Sequence, residues 1–309
     1  MSTTLLIAML ITMIGASTPI LLAALGELVV EKSGVLNLGI EGMMLTGAVV
    51  GFAVAYTTGS PWLGIGMAAL VGAAVSMIFA FLTLSLSANQ VATGLALTIF
   101  GTGFSALFGS EYTGKPLELF KSVFPAGLAE DPYLRLIFGH SPLVYFSFFM
   151  VFAVWWFLSR TRAGLILRAV GENDISAHSI GYSVIRIRYG AVAFGGAMAG
   201  IGGACFPLLL TPQWVEGLTA GRGWIALALV VFAAWRPLRL LAGAYLFGLI
   251  ATVELYTQAA GGVFRIIPTE LWASLPYLAT IGVLVLISLG RSTNANAPAC
   301  LGKPFEAGH

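Results

Sequence analysis

From Gly42 to Ser110 the chain contains no Asp, Glu, Lys, Arg or His. No water-soluble fold can cover itself with such a stretch, whereas a bilayer core demands one, at about 20 apolar residues per helical crossing. Within the run, TTGSP (Thr57 to Pro61) and SLSANQ (Ser85 to Gln90) are polar clusters of the kind that end helices, so it divides into three crossings. The rest of the 309 residues agrees, with 58% hydrophobic and 9% charged side chains and a mean hydropathy of +0.94. That is too little charge for a water-exposed surface. The formal net charge of +2 gives no reason to expect a nucleic-acid partner.

Further crossings are expected at Leu5 to Gly26, Ser141 to Ser159, Tyr189 to Leu210, Trp224 to Trp235, Leu240 to Tyr256 and Leu271 to Gly290. The predicted fold is an all-α polytopic membrane helix bundle of about nine transmembrane segments, in a single domain over residues 1–309. The seventh crossing is short: thirteen residues separate Arg222 from Arg236, about 20 Å at the helical rise, so a broken helix or snorkelling must supply the rest. Residues 111–141 carry both charge signs and several prolines, which reads as an external loop. With an outside N-terminus and a cytoplasmic tail over 291–309, ten of the fifteen cations face the cytoplasm, as the positive-inside rule asks. They are Lys32, Arg160, Arg162, Arg168, Arg186, Arg188, Arg236, Arg239, Arg291 and Lys303.

One polar segment stands out near the middle, RAVGENDISAHSIGYSVIRIRYG, Arg168 to Gly190, inside a cytoplasmic loop over 160–188. Asn173 and Asp174 are good N-cap residues and Gly181 suits the C′ position. A helix of about two turns between them is marginal in water by itself. Two readings stay open at this point: a solvated loop whose arginines set topology, or a helix that docks in a groove of a cytoplasmic partner.

RAVGEN followed by Ala177 and IGYS resembles the coupling segment of the permease subunits of bacterial ABC importers, in the group serving ribose, branched-chain amino acids and nucleosides. EKSGVLNLGIEGMMLTGA (Glu31 to Ala48), TRAGLILRAVGEN and GRGWIALALVVFAAWRPLRLLAGAYLFG (Gly221 to Gly248) are similar to its nucleoside branch, in which two different permeases pair. The chain departs from the family at Asp174, where proline is usual, and at Ser176, where a second alanine is usual. The resemblance implies a non-enzymatic translocation subunit of the inner membrane, coupled through Gly171, Glu172, Asn173, Asp174, Ala177 and Gly181. It implies as partners a second permease, cytoplasmic ATPase subunits that bind the ATP, and an external binding protein. Nucleosides are the substrate it points to, with a simple sugar or other small solute as the alternative. No cofactor is expected in this chain.

SGVLNLGIEG and Gly221-Arg222-Gly223 lie at the junctions of crossings one with two and six with seven. An inverted repeat relating crossings 1–4 to 6–9 would place Asn37, Glu41, Gly221, Arg222 and Gly223 on the substrate path; the competing reading is close helix packing by small residues. Glu27, Glu31 and Lys32 read as an interfacial ion-pair cluster. The chain has no G-x-x-x-x-G-K-[ST] phosphate loop, and neither HExxH nor a Cys/His cluster, so no catalytic or metal residue is assigned. An ion-coupled secondary transporter is the rival class; it has no need of an ATPase-docking helix.

Overall fold

The computed structural model describes residues 3–117, 120, 123–124, 132–260 and 297–305, with isolated positions between 271 and 285. Its elements are α1 (Thr3–Lys32), α2 (Ile40–Thr58), α3 (Pro61–Ala80), α4 (Gln90–Gly109), α5 (Pro132–Phe138), α6 (Pro142–Arg160), α7 (Arg162–Glu172), α8 (Asp174–Ser179), α9 (Val184–Cys205), α10 (Arg222–Phe232) and α11 (Pro237–Ala260). Both α3 and α9 run on into a five-residue π turn, at Phe81–Ser85 and Phe206–Leu210.

The helix ends follow local chemistry. Proline opens α3, α6 and α11, where its missing N–H costs nothing. The Asn89 side chain accepts from Ala92 N at 3.0 Å at the start of α4, and Thr161 Oγ1 accepts from Gly164 N at 3.0 Å at the start of α7. Gly59, at φ 67°, closes α2.

Among the described residues, seven helices are long and apolar enough to cross a membrane: α1, α2, α3, α4, α6, α9 and α11. The segment expected as crossing seven is only the 11-residue α10, about 16 Å long and half of a hydrocarbon core. The broken-helix reading of that segment is the one realised. Expected crossing nine, Leu271 to Gly290, lies largely outside the described residues.

The core is built on small residues. Gly47 on α2 faces the backbone of Gly200 on α9, where an added Cβ would lie 2.5 Å from its carbonyl oxygen, and Gly203 lies against Met44 in the same way. Gly72 on α3 and Gly196 on α9 form a second close approach, and Gly26 on α1 meets Gly195 on α9. Backbones this close gain the dispersion contacts that hold helices together in lipid, where apolar burial contributes little.

The helix contacts also follow an exchange symmetry. Exchanging α1 with α9, α2 with α10 and α3 with α11 turns the pair α1–α10 into α9–α2, α1–α11 into α9–α3, and α2–α3 into α10–α11, and all six pairs are in contact. The self-related pairs α1–α9 and α2–α10 also touch. Small-residue packing is therefore present, and the contacts of α1–α3 and α9–α11 have the exchange symmetry that the repeat requires, while the pairing of crossing four with crossing nine lies outside the described residues.

Candidate functional site

Two features that the sequence placed apart meet inside the bundle. Glu41 stands in the first turn of α2, and its Oε1 accepts from Thr219 Oγ1 at 2.5 Å and from Gly221 N at 2.9 Å. Its Oε2 accepts from Gly223 N at 2.6 Å. One carboxylate thus caps the N-terminus of α10, where open N–H groups and the helix dipole favour negative charge. The backbone is shaped for the contact: Gly221 has φ 78°, and a Cβ on Gly223 would lie 2.6 Å from Glu41 Oε2. The depth of the junction follows from Gly42, which faces Leu97 and Thr98 of α4, about 11 Å in from the start of that helix at Gln90.

Chain on both sides of this junction folds back into the bundle. After α1, Asn37 N donates to Glu27 Oε1 at 3.2 Å, which draws the loop alongside α1, and Asn37 Oδ1 accepts from Gly39 N at 3.0 Å to start α2. On the other side, residues 211–221 lead into α10 alongside the segment 113–117, which they hold through Leu117 N to Pro212 O at 2.9 Å. At the far end of α10, Trp235 Nε1 donates to Glu31 Oε2 at 2.6 Å. Glu27 and Glu31, expected as an ion-pair cluster with Lys32, are thus used to fasten the two chain breaks to α1 through N–H donors.

Of the five path candidates, Glu41, Gly221 and Gly223 share one hydrogen-bonded cluster. Arg222 lies over the Phe206 ring at 5.0 Å, at the π turn that ends α9. Asn37 pins the turn before α2. Both Glu41 oxygens are occupied by protein donors, so this side chain positions α10.

The polar loop forms a second assembly at one end of the bundle. Asn173 caps α8 through Oδ1, which accepts from Ser176 N at 2.9 Å, and Gly181 takes φ 95° beyond its end, as the sequence predicts. Asp174 has a different task from the expected capping. It is buried and accepts from Arg188 Nη2 at 3.0 Å, while Arg188 Nε donates to the carbonyl of Ser33 at the end of α1 at 3.1 Å. Arg188, expected as a topology-setting cation, has a fully buried side chain. It ties α8 to α1 and α9.

The coupling candidates divide by face. Gly171, Asp174 and Ala177 point inward, with Ala177 packed against Val170 and Val184, while Glu172, Asn173 and Gly181 are exposed. Gly171 faces the carbonyl of Lys32 too closely for any side chain. The C-terminal segment crosses the same assembly: Cys300 N donates to Gly171 O at 2.9 Å, Gly302 N to Gly34 O at 3.1 Å, and Phe305 meets the His178 ring at 5.5 Å. Outward, α8 and its flank present Ile175, Ile180 and Tyr182, at 66%, 73% and 39% exposure.

The sequence of this bundle matches a known family, that of the branched-chain amino acid transport system / permease component, over residues 9–284. The chain belongs to this permease family. It is 43% identical to the putative glucose ABC transporter permease protein TsgC13 of Haloferax volcanii, over 87% of this chain and 88% of the relative. The guanosine ABC transporter permease protein NupQ of Bacillus subtilis is 31% identical over 94% of each chain. The nucleoside ABC transporter permease protein NupC of Lactococcus lactis is 30% identical over 89% of this chain and 90% of the relative. No solved structure matches.

Sequence reasoning missed three parts of this permease's site. Ile175, Ile180 and Tyr182 are apolar residues in an otherwise polar loop, a signal that was available. The Asp174–Arg188 pair spans fourteen positions and joins two helices, and the strap of residues 297–305 is long-range in sequence, so neither leaves a local pattern.

Proposed function

We propose that this chain is the translocation subunit of an ATP-driven importer for a neutral, hydroxyl-rich solute, with nucleosides the first reading. The observation that carries it is α8: a capped two-turn helix whose inner face is locked to the bundle and whose outer face exposes Ile175 and Ile180. Exposed apolar side chains on a rigid polar mount are suited to a partner's groove. The partner here is a separate cytoplasmic ATPase, the subunit that binds and hydrolyses ATP. Family membership supports this pairing, as it does delivery by an external binding protein and pairing with a second permease. The N-terminus lies outside and the C-terminal segment inside, in the cytoplasmic membrane, so that α8 faces the ATPase.

Movement of α8 is carried through Arg188 to the ends of α1 and α9, and α1 also holds the α10 end through Glu31 and Trp235. Tilting of these helices against α2 and α10 opens the path alternately to each side. The path runs by Gly221, Arg222 and Gly223, with Asn37 and Glu41 fixing the two helix starts beside it. The absence of Lys and Arg from α2, α3 and α4 argues for neutral solutes over phosphorylated ones.

The names of NupQ and NupC support the nucleoside reading, and that of TsgC13 supports a simple sugar as the second. Uptake into proteoliposomes holding both permeases, the ATPase and the binding protein tests them. Free adenosine, guanosine, uridine or cytidine is expected to enter and their monophosphates to stay out. Entry of glucose with all four nucleosides ignored would transfer the assignment to sugars.

A further inference from the structure

A basic cleft of 530 Å³ opens at the same end of the bundle as α8, between the last turns of α1 and α6, the side of α7, and the start of α11. Lys32, Arg168, Arg236 and Arg239 line it. Two carboxylates belong to the same electrostatic neighbourhood, Glu31 and Glu172, alongside Arg168 and Arg236 around Lys32. Four cations therefore face two acids, one of which is turned to Trp235. The Nε of Arg168 is buried with no hydrogen-bond partner, which is costly unless a ligand supplies an acceptor. The first turn of α11 adds open N–H groups and the positive end of a 24-residue helix. Ala234 and Trp235 take φ 49° and 55° in the preceding turn, a strained path that brings Arg236 to the cleft mouth.

The cleft does not end at the basic rim. Trp155 and Leu238 also line an adjoining apolar groove of 220 Å³ between α6 and α11, with Phe148, Val151, Phe152 and Leu241. From Trp155 back to Phe148 the groove follows α6 for about 10 Å into the apolar span. A small soluble anion would use the rim and leave this groove empty. A phosphate with an alkyl chain attached would use both.

We propose that the cleft and groove form a binding site for an anionic phospholipid, with its phosphate held by Arg168, Arg236, Arg239 and the α11 N-terminus and one acyl chain laid between α6 and α11. Basic pockets between membrane helices at the cytoplasmic level favour such headgroups. Only the leaflet, the cytoplasmic one, rests on the orientation proposed above; the site itself stands whether or not the chain carries nucleosides. Seated there, the lipid bridges α6, α7 and α11, beside the turn that Glu31 fastens.

Native mass spectrometry of the delipidated full-length permease, titrated with phosphatidylglycerol, phosphatidylcholine of the same chains, or inorganic phosphate, tests the assignment. Phosphatidylglycerol is expected to bind, phosphatidylcholine to bind far less, and inorganic phosphate not to displace the lipid. The double variant Arg236→Gln/Arg239→Gln changes two exposed residues and is expected to bind phosphatidylglycerol about thirty-fold more weakly. Leu241→Trp, which fills the groove, is expected to weaken it too. Arg160→Gln/Arg186→Gln removes the same charge elsewhere and should bind as the unaltered chain does. Equal binding of the two lipids, equal loss in both double variants, displacement by inorganic phosphate, or indifference to Leu241→Trp would each overturn the proposal.

Discussion

Glu41 accepts three hydrogen bonds, from Thr219, Gly221 and Gly223, and each donor is left unpaired if the carboxylate goes. Buried unpaired donors cost about 1–3 kcal/mol apiece. Glu41→Ala is therefore expected to lower the melting temperature of the purified permease and abolish uptake, with Glu41→Gln intermediate because one acceptor oxygen remains. Gly223→Ala should act at least as severely, since its Cβ would press on Glu41 and the neighbouring backbone. Unchanged melting and uptake in Gly223→Ala would show that the α2–α10 junction is not as close as described. The sequence marked Glu41, Gly221 and Gly223, because Gly-interrupted polar motifs inside apolar runs are conspicuous, and it passed over Thr219. It did not show that the two motifs touch, because Glu41 and Gly223 are joined only by the way α2 and α10 both begin inside the bundle.

At the scale of elements, α8 was legible in detail. Asn173, Gly181 and the two turns between them are local chemistry, and local chemistry is what capping rules read. Gly181→Val would force a β-branched residue into the left-handed region at a cost of about 1–2 kcal/mol, with nothing within 4 Å to clash with. The expected result is normal membrane insertion with reduced uptake and weaker co-purification of the ATPase; full uptake would return the segment to a solvated loop. Its mount was hidden, since Arg188 and residues 297–305 reach it from distant positions. Arg188→Met leaves Asp174 buried beside no cation, a loss of about 3–5 kcal/mol for a pair of this kind. Deleting residues 297–309 uncovers Val170, Ala177 and Val184, which pack under Phe305. Both changes are expected to leave the chain in the membrane and to raise the protease sensitivity of 160–188. Unaltered protease patterns would remove the strap from the account.

For the molecule as a whole, hydropathy and charge alone carried the class of fold and most of the crossings, because a bilayer selects long apolar helices whatever their neighbours. The half-length of α10 had a visible sign in the spacing of Arg222 and Arg236, but its cause, a cap supplied by α2, lies in tertiary structure. Orientation is checked by accessibility reporters at Ser176 and Gly59, which lie at opposite ends of the bundle; the first is expected on the cytoplasmic side and the second outside. The central claim is that a separate ATPase drives this bundle through the outer face of α8. The most direct measurement is nucleoside uptake by proteoliposomes containing the whole transporter, with ATP inside or outside the ATPase-bearing compartment, for the unaltered chain and for Ile175→Asp/Ile180→Asp. Both residues are exposed, so the variant should fold and insert. Uptake is predicted to require ATP on the α8 side and to be lost in the variant, while uptake that follows a Na⁺ or H⁺ gradient without ATP, or that survives the double change intact, would contradict the account.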